Sequence, residues 1–194
     1  GTGKGVGFVV PNLLHWQGSA IVLDIKGENY TLTSGYRGRT LGQKVYRFDP
    51  LQEAGRTHGF NVLAYVREGD LRVTDVQTVA AILVPNESHD PYWDNVARDL
   101  LVGLILLVLE AGPALGWPVT IGQVHRLIRS EEETGEYLKA LLEDLEKQAV
   151  AVSSLCRRYL LSFCNEPEKP RGSIKSALAT KLTLWANPLI DRAT

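Results

Sequence analysis

The spacing of hydrophobic and polar positions differs between two parts of this chain. In the first part, short apolar runs that suit strands alternate with longer stretches that suit helices. Residues 19–26 (SAIVLDIK) form a β-branched run of the kind that a parallel sheet buries on both faces, and residues 44–48 (KVYRF) predict a second strand. Helices are predicted over residues 6–16, where Pro11 must bend the helix or end its first stretch, and over residues 30–41.

From residue 61 onward the apolar positions recur mostly at steps of three and four, which is the spacing of one face of an α-helix. Asp90 and Pro91 supply a capping side chain followed by a proline at the first helical position. The helices predicted in this region cover residues 70–84, 91–111, 120–129, 134–148, 149–164 and 170–186. The expected fold is an α/β fragment followed by a mainly α-helical domain, predominantly α overall.

The composition and net charge say more about possible binding partners than about the fold. The 194 residues are 44% hydrophobic, enough for a substantial core, and the net charge of −1 gives no bulk attraction to DNA or anionic lipid. The most apolar stretch, residues 100–109, is too short to span a bilayer, which takes about 20 residues. It predicts a buried helix, and no transmembrane segment is expected in the chain.

The cysteines bear on disulfide and metal chemistry, and the absence of methionine bears on the extent of the chain. Cys156 and Cys164 lie on one predicted helix about 12 Å apart, too far for a disulfide, and no second pair supplies the spacing of metal ligands. No metal site is predicted. The chain has no methionine, even at position 1, which leads us to expect a piece of a longer protein.

The first seven residues, GTGKGVG, match the second half of a phosphate-binding loop. In such a loop the backbone N–H groups turn toward the phosphates, here those of Thr2, Gly3, Gly5 and Val6, and the lysine, here Lys4, supplies a point charge. Gly5 stands where a serine or threonine would bind Mg²⁺. The alternative is a flexible glycine-rich terminus with a solvated lysine.

Two acidic residues follow the first predicted strand. Asp24 and Glu28 lie at its carboxyl end, where open α/β sheets bind their ligands, and they are the candidate catalytic residues. They could form a polar network near a nucleotide or a subunit interface, or they could simply cap the next helix.

The helical part carries an excess of basic residues toward its end. Arg157, Arg158 and Lys175 are candidates for contacting DNA phosphate or an acidic signal on a substrate. The alternative is that they belong to ordinary solvated helix faces.

Several ordered blocks make the chain resemble the TraG-type coupling proteins of type IV secretion and conjugation, which are RecA-like ATPases. The blocks cover much of the first 110 residues, and beyond that the likeness is mainly in helical character. They are GTGKGVGFVVPNLL (1–14), GSAIVLDIKGEN (18–29), GYR (35–37), VYRFDP (45–50), FNVL (60–63), DVQTVAAILVP (75–85) and the helix of Trp93 followed by LLVGLILLVL (100–109).

The resemblance implies an ATP-driven hexameric translocase subunit that uses Mg²⁺ and recruits relaxase–DNA or secreted protein substrates to the secretion channel. It implies attachment at the cytoplasmic face of the inner membrane through a segment outside this chain. Residues 1–60 would begin the RecA-like nucleotide-binding domain, residues 61–190 would be an all-helical insert, and residues 191–194 would start the return. The family's second nucleotide motif would follow, so we expect this chain alone to be inactive as an ATPase.

Two alternatives remain open at this point. The chain could be a non-catalytic helical module that docks substrates, or, less in keeping with its helices, a small P-loop kinase.

Overall fold

The protein is described by a computed structural model over residues 3–52, 56–86, 90–129 and 133–194. The chain divides into two compact units. The first unit holds residues 3–49 and 56–58. The second holds residues 50–52 and the described residues from 59 to 194.

The first unit contains two helical segments. The first begins with a π-helix, Gly5–Val9, and continues as α1, Val10–His15. Because Pro11 has no N–H to donate to the preceding turn, the wider π pattern just before it carries the helix past the proline. The second segment is α2, Glu28–Arg39. Both helices were predicted, and α2 starts two residues earlier than the pattern indicated.

The two predicted strands are wrong for this structure. Residues 19–24 and 42–49 have no regular secondary structure, and no strand is found anywhere in the described ranges. Ile21 is fully exposed, and Leu23 and Ile25 are 88% and 90% exposed. A strand exists only where a neighbouring extended segment accepts its backbone hydrogen bonds, and neither segment has one here. The predominantly helical character is confirmed, whereas a RecA-like sheet is not observed.

The second unit is built from helices joined by short loops. Its helices are α3, Arg72–Leu83; α4, Pro91–Glu110; α5, Gly112–Leu115; α6, Ile121–Ile128; α7, Thr134–Lys147; α8, Ser154–Cys164; α9, Glu168–Lys181; and α10, Pro188–Ala193. Three single 3₁₀ turns, Val62–Tyr65, Gly69–Leu71 and Thr183–Ala186, accompany them. All six predicted helices are present, although α8 begins at Ser154 rather than 149. The short helices α5 and α10 were not predicted.

Side-chain caps fix where these helices begin. The Asp90 carboxylate accepts the N–H of Tyr92 at the start of α4, and the Ser153 hydroxyl oxygen accepts the N–H of Cys156 at the start of α8. Such caps typically contribute about 1 kcal/mol each, because they satisfy donors that have no partner within the helix.

The core of the second unit surrounds α4. Every residue of α4 from Leu100 to Val108 is buried, as the ten-residue apolar run predicted. At Gly103 the neighbouring helix α8 comes so close that an added Cβ would lie 2.9 Å from Cβ of Tyr159. None of the helices in the described ranges is long and apolar enough to cross a membrane.

Candidate functional site

The candidate phosphate-binding residues lie at the start of the first helical segment. Lys4 is the exposed residue that precedes the π-helix, and Gly3 before it has a positive φ of 66°. Gly5 and Val6 are in the first turn, whose N–H groups have no partner within the helix. Thr2 lies outside the described residues. The remaining four predicted residues therefore lie together at a helix N-terminus, where N–H groups and the helix dipole favour an anion.

Open space surrounds this turn. A Cβ added at Gly3, Gly5 or Gly7 would meet no heavy atom within 4 Å, so a ligand could approach the backbone closely. The positive φ at Gly3 is a conformation that residues with a side chain rarely adopt. These residues fit a phosphate group. They do not fit Mg²⁺ equally well, because Gly5 offers no hydroxyl where a P-loop places its metal ligand.

Asp24 acts as a local cap of α2. Its carboxylate accepts a hydrogen bond from the backbone N–H of Tyr30 at 2.8 Å and one from the side-chain amide of Asn29 at 3.2 Å. Glu28, the first residue of α2, is exposed. Within the described ranges no hydrogen bond or ion pair joins Lys4 to either acid. The two catalytic candidates are thus near one helix end, and Asp24 already holds that end in place.

Arg37 is the residue of the first unit that sequence reasoning missed. It is buried, and its guanidinium donates to the backbone carbonyls of Leu13, Trp16 and Gly18, the last two at 2.9 Å. A guanidinium has a planar fork of donors, which suits several carbonyls at once. Arg37 thereby ties α2 to the end of α1. The block GYR (35–37) was a signal for it, but nothing in the pattern indicated its role.

The three basic candidates of the helical part have different surroundings. Arg157 pairs with Glu146 at 3.3 Å. Arg158 lines a groove of about 260 Å³ between α4, α8 and α9, together with Asp99 and Glu166. We call this the α4–α8 groove. Partial burial raises the pKa of Asp99, and the charge of Arg98 opposes the rise.

Lys175 lines a different groove. This second groove, of about 280 Å³, runs along α9 and is bounded by Arg129 at the end of α6 and by Thr183 in the 3₁₀ turn. We call it the α9 groove. The sequence pattern grouped Lys175 with Arg157 and Arg158, whereas the other cation that borders this groove is Arg129.

Arg171 fastens the start of α9 to its neighbours. Its guanidinium pairs with Glu133 at 2.9 Å and donates to the carbonyl of Cys164 at 2.9 Å. A Cβ on Gly135 would lie 2.9 Å from Cδ of Arg171, so the glycine leaves room for this side chain. Burial opposes ionisation of Glu133, but the N–H groups of Glu136 and Gly135 and the charges of Arg171 and Lys175 hold its pKa below the ordinary value.

His125 is a buried histidine on α6. Its Nε2 atom has no hydrogen-bond partner within the described part of the chain. Burial and the nearby charge of Arg129 lower its pKa, and Asp191 partly opposes the shift. The ring therefore stays neutral at physiological pH.

The cysteines are placed as the sequence predicted, inside the helical unit. Both are buried, and burial raises the pKa of Cys156 strongly and that of Cys164 to about 11. They are protonated thiols packed in the core. Across the described ranges, no group of three or more His, Cys, Asp and Glu residues could hold a metal ion.

Comparison with known proteins gives one consistent result. The family model described as "Type IV secretory system Conjugative DNA transfer" matches residues 1–194. The conjugal transfer protein TraG of Escherichia coli is 33% identical over 98% of this chain, and the protein VirD4 of Rhizobium radiobacter is 34% identical over 99% of it. VirD4 of Agrobacterium fabrum is 33% identical over 99%. The chain spans 27–30% of the length of these relatives.

Proposed function

Because the chain belongs to the type IV secretory system conjugative DNA transfer family, we propose that it is part of a coupling protein. In this proposal the longer protein is an ATP-driven hexameric translocase that recruits DNA–relaxosome or protein substrates to the secretion channel at the cytoplasmic face of the inner membrane. The family match across all 194 residues carries the proposal, since it covers both compact units.

The nucleotide site is proposed at the N-terminal turn. Lys4 offers its ammonium to the phosphate oxygens, and the N–H groups of Thr2, Gly3, Gly5 and Val6 donate to them. ATP, when bound with Mg²⁺, supplies the free energy for translocation. The carboxylate of Asp24 holds the start of α2 beside the segment that precedes it. Glu28 presents an exposed carboxylate at the same end of the helix. Support comes from the open space beside Gly3, Gly5 and Gly7.

The finer fold assignment is part of the same proposal. Residues 19–26 and 44–48 would become strands of a RecA-like sheet when the rest of that sheet pairs with them. The exposed apolar side chains of Ile21, Leu23 and Ile25 support this, because strands buried on both faces carry such residues. Residues 1–60 would then open the nucleotide-binding domain, and residues 61–190 would be the helical insert.

A second candidate function is substrate docking by the helical unit. In that case the N-terminal unit has no catalytic role. The observation that favours it is the apolar core around α4, which is complete within the second unit. Arg157, Arg158 and Lys175 are the residues proposed to meet the relaxase–DNA complex or the secreted protein.

The decisive experiment changes the phosphate lysine in a full-length coupling protein that contains this chain. Lys4→Ala is expected to lower conjugative DNA transfer and ATP hydrolysis on the order of 100-fold or more, because it removes the charge aimed at the transferring phosphate. Lys44→Ala is the matched control, since Lys44 is also exposed in the first unit and lies outside the proposed site.

Nucleotide binding by the isolated 194-residue chain separates the two candidates. Binding of a fluorescent ATP analogue that is lost in Lys4→Ala and kept in Lys44→Ala supports the motor. If full-length Lys4→Ala transfers DNA as well as Lys44→Ala does, the motor assignment is wrong and the docking role stands.

A further inference from the structure

Residues near the two ends of the second unit are joined by a backbone hydrogen bond. Phe60, close to the point where the chain enters the unit, donates its N–H to the carbonyl of Ala193 at 2.8 Å. Ala193 is the last residue of α10 and is buried. We call residues 59–61 and α10 the end segments. They lie side by side although more than a hundred residues separate them in the sequence.

Both end segments are also attached to helix α6. From the first, the side-chain amide of Asn61 donates to the carbonyl of Val119, two residues before α6 begins, at 2.7 Å. From α10, the carboxylate of Asp191 pairs with the guanidinium of Arg126 at 2.6 Å. The Nε of Arg126 also donates to the side-chain oxygen of Gln123 at 2.9 Å, which holds the guanidinium in place.

Gly122 allows α10 to approach α6 this closely. A Cβ added at Gly122 would overlap the carboxylate of Asp191. Glycine is an unfavourable residue inside a helix, so this close contact gives its position a physical reason. An exposed ion pair alone contributes little, but the Asp191 side chain is only 28% exposed and also packs on the helix at Gly122. We call the contact among Gly122, Arg126 and Asp191 the α6 latch.

Helix α6 connects the latch to the core and to a groove. Every residue of α6 except Arg126 is buried, and the helix packs against α4 and α9. Arg129, directly after α6, borders the α9 groove. A closely packed core does not deform continuously, so a helix buried on nearly all sides moves together with its neighbours. A displacement of the end segments would therefore reach the α9 groove through α6.

We propose that α6, held by the latch, couples the position of the end segments to α4, α9 and the α9 groove. Gly122, Arg126 and Asp191 are positioning residues in this role, since they act through α6. The inference rests on the proposed function, in which both end segments continue into the nucleotide-binding domain of the longer protein. There the latch transmits the movement that ATP hydrolysis drives to the helical insert.

The first test measures hydrogen exchange by NMR on the complete 194-residue chain. The reporter amides are those of Phe60 and Asp191, which open when the end segments detach. Arg126→Gln is expected to speed their exchange about fivefold, the upper end of what an exposed ion pair contributes. The amides of α4 should not change. Arg67→Gln is the matched control, because it removes an ion pair of the same length, to Asp75, away from the latch.

A double-mutant cycle shows whether the two charged residues act through one contact. Asp191→Asn keeps the shape of the side chain and removes its charge. The double variant Arg126→Gln/Asp191→Asn is expected to exchange no faster than the faster of the two single variants, because the second substitution finds the contact already lost. Effects that multiply would show that the residues act separately, which overturns the latch.

A steric variant tests the same contact without changing charge. Gly122→Ala is expected to speed exchange of the reporter amides about tenfold or more, because the added Cβ forces the Asp191 carboxylate away from α6. Gly172→Ala is the control, since a Cβ at that position of α9 would meet no atom within 4 Å. Circular dichroism checks that each variant keeps its helix content. If Gly122→Ala does not fold, the Arg126→Gln result decides.

The second test uses a full-length coupling protein that contains this chain. Arg126→Gln is expected to keep ATP hydrolysis and to lower conjugative DNA transfer about fivefold or more, which is the range of a typical coupling free energy. Arg67→Gln should lower neither. A merely structural role would lower hydrolysis and transfer together, as Lys4→Ala is expected to do.

Failure of the latch and failure of the proposed function give different results. If Arg126→Gln and Gly122→Ala exchange as their controls do, the latch is absent and the proposed function stands. If exchange changes but full-length Arg126→Gln transfers DNA normally, or loses hydrolysis along with transfer, the coupling role is overturned. If Lys4→Ala transfers DNA normally, the proposed function fails and the coupling role fails with it.

Discussion

The two units of this protein place their apolar residues in opposite ways. In the second unit, the apolar run of α4 is buried from Leu100 to Val108 by the surrounding helices. In the first unit, the apolar residues 21, 23 and 25 point into solvent, and Leu13 is the only buried aliphatic residue in its described part. What holds the first unit is polar instead, above all Arg37 and the backbone carbonyls that it binds.

This difference follows from what a helix and a strand each need from neighbouring segments. A helix satisfies its own backbone hydrogen bonds and needs neighbours only for its apolar stripe, whereas a strand needs neighbours for its backbone as well. The helical unit therefore completes its core from its own residues. The first unit presents the surface on which, in our proposal, the remainder of a RecA-like sheet would pack.

The largest expected effect tests the core directly. Leu104→Ala is expected to destabilise the second unit by about 2–5 kcal/mol, because it leaves a cavity in a fully buried site. Leu23→Ala is the counterpart in the first unit, and its effect is expected to stay within about 0.5 kcal/mol because the side chain is already exposed. Urea unfolding followed by circular dichroism measures both. Equal losses would show that the two units are not different in this way.

The next largest expected effect concerns Arg37 and the local stability of the first unit. Arg37→Leu leaves the carbonyls of Leu13, Trp16 and Gly18 without their donor and is expected to cost about 1.5–3 kcal/mol of local stability. The measurement is hydrogen exchange of the amides in α1 and α2. Arg39→Leu, which removes an exposed arginine from the same helix, is the control. Unchanged exchange in Arg37→Leu would mean that Arg37 does not hold the unit together.

Glycine substitutions sharpen the comparison further. Gly103→Ala is expected to destabilise the second unit by about 1–3 kcal/mol, because the added Cβ would lie 2.9 Å from Tyr159 Cβ across the α4–α8 contact. Gly38→Ala in α2 meets its nearest atom at 3.9 Å and is expected to raise helix stability by about 0.5–1 kcal/mol. Thermal unfolding of the two variants should shift in opposite directions, and a shared direction would contradict the packing described for α4.

The smallest expected effect concerns pH and is confined to the second unit. Burial lowers the pKa of His125 below 6.5, so the unfolded chain binds that proton more readily than the folded chain. Stability that is present above about pH 6.5 is therefore lost as the pH falls below it. Urea unfolding at about pH 7.5 and about pH 5.5 should show this loss. His125→Leu should reduce it, while His15→Gln, an exposed site on α1, should not.

Sequence patterns located the helices more successfully than they located the chemistry. The Asp90 cap acts within a few positions, so the start of α4 could be predicted from a local signal. The start of α8 was placed at residue 149, whereas the Ser153 cap puts it at Ser154. The sequence did not show that Arg158 and Lys175 line different grooves, because which groove a side chain enters depends on helices far away in the sequence. Arg129 was missed for the same reason, since it meets the α9 face only after α6 and α9 have packed.

By itself, the sequence determined the helical character of most of the chain, the buried run of α4 and the membership in a conjugative DNA transfer family. These depend on local periodicity, on caps and on ordered blocks of residues, all of which are carried along the chain. Tertiary structure alone decided that residues 19–26 stay unpaired here, that Arg37 reaches three carbonyls, and that Arg129 and Lys175 border one groove. The physical reason is that strand pairing, burial of charge and the assembly of a binding groove are properties of contacts between distant segments.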